Sequence, residues 1–128
     1  MIKKQLSVFV ENRQGRLGKI LHVLQENGIN ILSMSLADTT EYGLFRLIVD
    51  QPELGEEKLT KSGFSCIVSE VLVINLPHAP GSLQSILQKI ADNAIDVEYL
   101  YGLDTEGENA SVVVKTSDAK KAAEILSK

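Results

Sequence analysis

Hydrophobic and polar residues change their spacing along the chain. Residues 5–11 alternate, with Leu6, Val8 and Val10 on one side, and this period of two predicts a β-strand. From Leu17 the apolar residues instead recur at i, i+3, i+4 and i+7, which is the stripe of an amphipathic helix. Asn27-Gly28 follows, and glycine suits the left-handed residue that closes a helix. The start of the chain is therefore predicted to run strand, turn, helix.

The same two spacings predict the remaining elements. Further strands are expected at 29–38, 44–49, 64–68, 71–76, 95–103 and 110–115, and further helices from Pro52 to about Ser62, from Pro80 through Ile90, and from an N-cap at Ser117 to Leu126. The order β-α-β-β-α-β is the ferredoxin-like arrangement. We predict an α+β fold of two such units in tandem, the first at 1–68 and the second at 69–128.

Only Ser69 and Glu70 separate the last strand of the first predicted unit from the first strand of the second. We therefore expect these two strands to be nearly continuous and the two units to share one antiparallel sheet, with the helices on one face. The second unit is expected to lack its last strand, because the chain leaves no room for it after the final helix.

An internal repeat supports the two-unit prediction. Shifting residues 6–39 by 66 positions superimposes them on 72–105 without a gap, and nine positions are then identical. Many of these are apolar core positions, but Gly15 and Gly81 share a turn between strand and helix. Self-similarity of this kind indicates a duplicated structural unit. The repeated turn is the first candidate for a functional feature.

Composition narrows the function. The 128 residues are 44% hydrophobic and carry a formal net charge of −4, which argues against a nucleic-acid partner because such proteins need a basic face. Two histidines and one cysteine leave little material for a transition-metal site, and we predict no metal and no cofactor.

Cys66 lies in an apolar run and is interpreted as a buried, inert thiol. No apolar run approaches the roughly 20 residues of a membrane span, and no signal peptide is evident, so we expect a cytoplasmic protein with no membrane partner.

The two glycine turns carry the chemistry of a small-molecule site. A helix N-terminus exposes backbone N–H groups and a partial positive charge, which suit a carboxylate. The strands that follow the helices begin at Asn30 and Asp96, whose oxygens could accept from an ammonium group. Together these groups would hold a free amino acid. The alternative left open is that the glycines serve the turn alone, with Asn12 as an N-cap and Asn30 closing a strand end.

Two segments of the first unit carry a family resemblance: Glu11-Asn12-Arg13-Gln14-Gly15-Arg16-Leu17 and Asn27-Gly28-Ile29-Asn30-Ile31. They resemble the ACT domain, and most of all the serine-sensing domain of phosphoglycerate dehydrogenase. The resemblance implies a βαββαβ regulatory module that binds an amino acid where two domains meet. It implies contacts from Asn12 and Asn30, and it covers both units. It also shows departures, since Gln14 replaces the usual proline, Val10 stands where the serine sensor has a histidine, and Asp96 replaces asparagine. Serine specificity therefore does not transfer.

The candidate ligand-binding residues combine the two turns with the two strand starts. They are Asn12, Arg13, Gln14, Gly15, Arg16, Leu17, Asn30 and Ile31 in the first unit, and His78, Ala79, Pro80, Gly81, Ser82, Leu83, Asp96 and Val97 in the second. We predict an amino-acid sensor that acts as a homodimer, with a separate target enzyme as a further candidate partner.

Other functions fit the sequence less well. No convincing set of nucleophile, base and acid residues is present, so no catalytic residues are assigned and an enzyme is not predicted. An RNA-recognition domain would need aromatic residues on its central strands, and 43–48 supplies only Phe45. The remaining alternative is a structural dimerisation module that acts on a separate enzyme or regulator without a ligand of its own.

Overall fold

A computed structural model describes residues 1–11, 14–38, 42–106 and 109–127. The elements in chain order are β1 (Ile2–Glu11), α1 (Arg16–Glu26), β2 (Ile31–Asp38), β3 (Tyr42–Val49), α2 (Pro52–Lys61), β4 (Ser65–Pro77), α3 (Ser82–Asp92), β5 (Val97–Glu106), β6 (Asn109–Thr116) and α4 (Ala119–Leu126). This is the predicted sequence of two strand-helix-strand-strand-helix repeats.

The chain divides into two compact units. One is Lys4–Ser69, and the other joins Met1–Lys3 to Glu70–Lys128. The strands are hydrogen-bonded in the order β2-β3-β1-β4-β6-β5, so the predicted α+β fold is confirmed. β1 and β4 each pass through both units, because the boundaries between the units fall within these two strands.

The core of the first unit lies between its strands and its two helices. Leu6, Val8 and Val10 of β1 are buried on the face that the helices cover, as their alternation predicted. The stripe of α1 packs on them through Ile20, Val23 and Leu24, and α2 adds Leu59. Both helices therefore lie on one face of this unit's strands.

The second unit repeats this construction with a smaller buried core. Leu72, Ile74 and Leu76 of β4 pack with Ile90 of α3 and Ala122 of α4. The apolar spacing of α3 thus serves the same purpose as that of α1, which explains why the core positions of the repeat are conserved between the two halves of the chain.

The β4 strand is a single element of 13 residues, so the two strands expected to be nearly continuous across Ser69 and Glu70 form one strand. Its second half has a neighbour that the sequence analysis missed. The Val73 N–H donates to the Met1 carbonyl oxygen at 2.7 Å, and Met1–Lys3 belong to the same unit as Glu70–Lys128. The start of β1 therefore lies beside β4 in the second unit, which has no fourth strand of its own among the described residues.

Two local predictions are wrong. Ser117 is not the N-cap of α4, because its hydroxyl oxygen accepts from the Asp96 N–H at 3.0 Å. The cap is Asp118, whose carboxylate accepts from the Lys121 N–H at 3.0 Å. Pro80 does not open α3 either: the helix begins at Ser82, and Pro80 lies in the exposed turn before it.

Candidate functional site

The two glycine turns have the same backbone geometry. Gly15 has φ 83° and ψ −6°, and Gly81 has φ 86° and ψ −11°, so both are left-handed N-caps. A side chain is disfavoured in this conformation, which explains why both halves of the repeat keep glycine. A Cβ at either glycine would meet no atom within 4 Å, so the space beside both corners is open.

The helices that follow these glycines begin without a side-chain cap. A glycine N-cap has no side chain to accept from the first N–H groups, and none is recorded at α1 or α3. Of the other two helices, α4 is capped by Asp118, whereas α2 also begins without a side-chain cap. Within the described residues, the N-terminal N–H groups of α1 and α3 are therefore not used by a capping side chain, and what distinguishes these two helices is the exposed left-handed glycine at which each begins.

Both corners face outward. Gln14 and Gly15 are exposed in the first turn, and His78, Ala79, Pro80 and Gly81 are exposed in the second. Asn12 and Arg13 lie outside the described residues. In the described part of these turns no neighbouring side chain seals the corner.

The two strand starts are built alike. The Asn30 N–H donates to the Asp50 carboxylate at 2.9 Å, while the Asp50 N–H donates to the Asn30 carbonyl at 3.1 Å. In the second unit Asp96 and Ser117 form the same reciprocal pair, at 3.0 and 2.9 Å. These bonds use the backbone of Asn30 and Asp96 and leave both residues exposed. Asn30 thus closes the strand end, as the alternative interpretation expected, and the side chains of Asn30 and Asp96 remain accessible.

Within one unit, the turn and the strand start lie at opposite ends. In the second unit Pro77 pairs with Asn109, whereas Val97 pairs with Thr116, seven residues further along β6. At about 3.4 Å per residue this separates the ends by about 24 Å. The first unit has the same layout, since Glu11 pairs with Tyr42 and Ile31 with Val49. A single unit therefore cannot bring both halves of the predicted site to one amino acid.

A cavity of about 730 Å³ lies beside the second turn. Four of the predicted ligand-binding residues line this cavity, together with eight residues that were not predicted to bind a ligand. Its lining comprises Leu76, Pro77, His78, Ala79, Gly81, Leu83, Gln84, Gly102, Leu103, Ala110, Ser111 and Val112. None of these side chains is an acid, a lysine or an arginine. The strand residues were missed because their pairing brings them to the turn from distant parts of the sequence.

Other predicted site residues face inward. Leu17 and Ile31 pack against the core of the first unit, and Leu83 and Val97 against that of the second. The side chains of Leu17, Ile31 and Val97 are partly buried in this packing, and Leu83 also lines the cavity. Arg16 directly follows Gly15, and its guanidinium carbon lies 4.5 Å from the centre of the Phe64 ring.

Across 1–11, 14–38, 42–106 and 109–127, no group of three or more histidine, cysteine, aspartate or glutamate residues is placed to hold a metal ion. In the same residues, no helix is long and apolar enough to cross a membrane.

Comparison with known families decides what kind of domain carries these turns. The family model for an ACT domain pair matches residues 1–128. The chain belongs to this family. ACT domains are regulatory modules that typically bind ligands. The match covers both units of this chain, including the two glycine turns on which the resemblance to ACT domains was first based.

Solved structures agree with this assignment. Protein BT0572 from Bacteroides thetaiotaomicron is 31% identical, with a TM-score of 0.93 over 99% of this chain and 88% of that one. The regulatory subunit of aspartate kinase from Thermus thermophilus, in its ligand-free form, shares the fold at 16% identity, with a TM-score of 0.69 over 99% of this chain and 95% of that one. The corresponding subunit from Thermus flavus matches at 15% identity and a TM-score of 0.67, over 98% and 90% of the two chains. No curated protein matches the sequence.

Proposed function

We propose that this ACT domain pair is a regulatory protein that binds a free amino acid. One unit contributes its glycine turn, and another unit, of the same chain or of a partner chain, contributes the start of its second strand. The observation that carries the proposal is the pair of exposed, left-handed glycine corners, each opening a helix without a side-chain cap.

The carboxylate end of the ligand is assigned to these turns. Backbone N–H groups at the start of α1 or α3 would donate to it, and the partial positive charge of the helix would favour it. Gln14 in the first turn and His78 to Ser82 in the second complete the surroundings, and the predicted contacts of Asn12 and Arg13 remain part of this proposal.

The ammonium end is assigned to Asn30 or Asp96. Both are exposed, and their backbone hydrogen bonds to Asp50 and Ser117 hold the strand start in place. The charge of Asp96 makes the second of these positions the stronger acceptor, because hydrogen bonds to ionised groups are the stronger ones.

The ligand's own side chain is assigned to the cavity beside the second turn. Leu76, Leu83, Leu103 and Val112 supply apolar surface there, and the polar lining side chains are those of His78, Gln84 and Ser111. Among the lining residues that the structure describes, a charged ligand side chain would meet no opposite charge to compensate for its lost hydration. We therefore infer a preference for a neutral, largely apolar amino acid.

We also propose that the protein acts as a homodimer through the β2 edge. β2 ends the strand order, and its Leu32, Met34 and Leu36 are 46%, 60% and 52% exposed. An uncovered apolar edge strand can pair with the same strand of a second copy. A separate target enzyme remains a further partner in this proposal.

The test is a thermal-unfolding screen with the twenty amino acids. A ligand at a hundred times its dissociation constant should stabilise the folded state by about 2.7 kcal/mol. For any hit, His78→Ala and Asp96→Ala should weaken binding, by about tenfold or more for the charged position. His22→Ala and Glu124→Ala, which alter exposed residues on α1 and α4, serve as matched controls and should not change it. A screen with no hit would favour the structural dimerisation module.

A further inference from the structure

A second, smaller cavity lies in the first unit, away from the strand starts. Its volume is about 290 Å³, and its lining comprises Phe9, Glu11, Arg16, Tyr42, Gly63, Phe64 and Ser65. Of these, only Arg16 was among the predicted ligand-binding residues, and that prediction placed it at the glycine turn. The cavity therefore needs an interpretation of its own.

Three aromatic rings give this cavity its apolar walls. The Phe9 and Tyr42 rings lie 5.7 Å apart with their planes tilted by 59°. Both side chains are exposed, at 38% and 42%, although aromatic rings gain most by being covered. Phe64 is 4% exposed and lies beneath the Arg16 guanidinium. A flat apolar group would find rings on more than one side here.

Arg16 gives the cavity a directed cation. Its guanidinium carbon lies over the Phe64 ring, 4.5 Å from the ring centre. Its Nε is buried, and in the described part of the chain it has no hydrogen-bond partner. Because a ligand cannot reach that buried atom, the outer nitrogens of the guanidinium are the donors available in the cavity that Arg16 lines. The planar donor edge of arginine matches a carboxylate.

We propose that this cavity binds a small carboxylate with an aromatic body, the carboxylate pairing with Arg16 and the ring packing against Phe9 and Tyr42. Glu11 is the other ionisable carboxylate of the lining. It is exposed and has an interaction of its own. This cavity adjoins the first glycine turn, because Glu11 and Arg16 flank that turn, and it uses no residue of the strand starts.

The first test uses the unaltered protein and three probes. In a titration followed by ¹H–¹⁵N correlation spectra, 3-phenylpropanoate should shift the amides of Gly63, Phe64 and Ser65. It should bind about tenfold or more tightly than 3-phenylpropanamide, which lacks the charge, and than propanoate, which lacks the ring. The proposal is overturned if the amide binds as well as the acid, or if the shifts appear at Gly81 instead.

The second test removes the cation and keeps its apolar stem. Arg16→Met should weaken 3-phenylpropanoate binding by about tenfold or more, whereas Lys19→Met, on the same helix and exposed, should leave it within about twofold. Equal losses in the two variants would mean that only general charge attraction holds the probe, and the proposal would be wrong. If Arg16→Met does not fold, the comparison of acid with amide on the unaltered chain decides.

Discussion

At the scale of single residues, the two halves of the repeat close their first helices in the same way but with different residues. The Asn27 side-chain amide donates to the Val23 carbonyl at 2.8 Å, and the Asn93 amide donates to the Lys89 carbonyl at the same distance. The next residue is Gly28 at φ 64° in the first unit but Ala94 at φ 58° in the second. An alanine in this conformation costs about 1–2 kcal/mol.

Replacing Ala94 by glycine should therefore stabilise the protein. Part of the relieved strain is offset by the greater freedom of glycine in the unfolded chain, and we expect a net gain of about 0.5–1 kcal/mol in the free energy of unfolding. Chemical denaturation measures it. Gly28→Ala is the matched control and should lower stability by about 1 kcal/mol. A lower stability for Ala94→Gly would show that the strain argument fails at this position.

Cys66 offers a prediction on reactivity. Burial, with a smaller contribution from the Glu56 carboxylate, raises the pKa of its thiol to about 11. Because the thiolate is the reactive form, at pH 8 only about one thiol in a thousand is active. Modification by a thiol reagent should be about a hundredfold slower than in the denatured chain, and it should accelerate about tenfold per pH unit up to pH 11. A rate at pH 8 equal to that of the denatured chain would contradict this account.

Sequence reasoning at this scale succeeded where one residue type has a single local use. The glycines at 15, 28 and 81 were read correctly as turn or closing residues, because positive φ leaves few alternatives. The contact between Arg16 and Phe64 could not be predicted, because an arginine beside a turn gives no sign of a ring 48 residues later in the sequence. Contacts of that kind follow from packing, which the local pattern does not contain.

At the scale of elements, β2 is a terminal strand with an apolar exposed surface. If a second copy covers it, a lysine at its centre should prevent pairing, as charged edge residues do in many sheets. Met34→Lys should therefore convert the protein to a monomer at micromolar concentration, as measured by sedimentation. Leu100→Lys, on the other terminal strand β5, is the matched control and should leave the dimer intact. A wild-type monomer, or a dimer in both variants, would show that β2 is not the interface.

The elements themselves were largely predictable, since periods of two and 3.6 residues are local signals. Ser69 and Glu70 interrupt the apolar run, but their brevity predicted nearly continuous strands, and β4 indeed runs through them as one element. The pairing of Met1 with Val73 could not be inferred, because it joins parts of the chain 72 residues apart and depends on the order of the strands.

At the scale of the whole molecule, the layout of each unit sets a requirement on function. The glycine turn and the strand start of one unit are about 24 Å apart, so an amino acid held at both ends must meet two units. An amino acid bound in this way can shift an equilibrium between two states of the assembly, or of a partner protein, only if it binds one of those states more tightly than the other. Under the proposed function, this difference in affinity is what would make the two-unit module a regulator.

The central claim is that backbone amides at a glycine corner hold the ligand's carboxylate while oxygens of another unit hold its ammonium. Isothermal titration of the unaltered protein with the amino acid that gives the largest thermal shift, its N-acetyl derivative and its carboxamide tests both halves of this claim. We expect each derivative to lose about tenfold or more in affinity, because each leaves one half of the site without its charged partner. Equal binding of the amino acid and both derivatives, or no binding of any free amino acid, would contradict it.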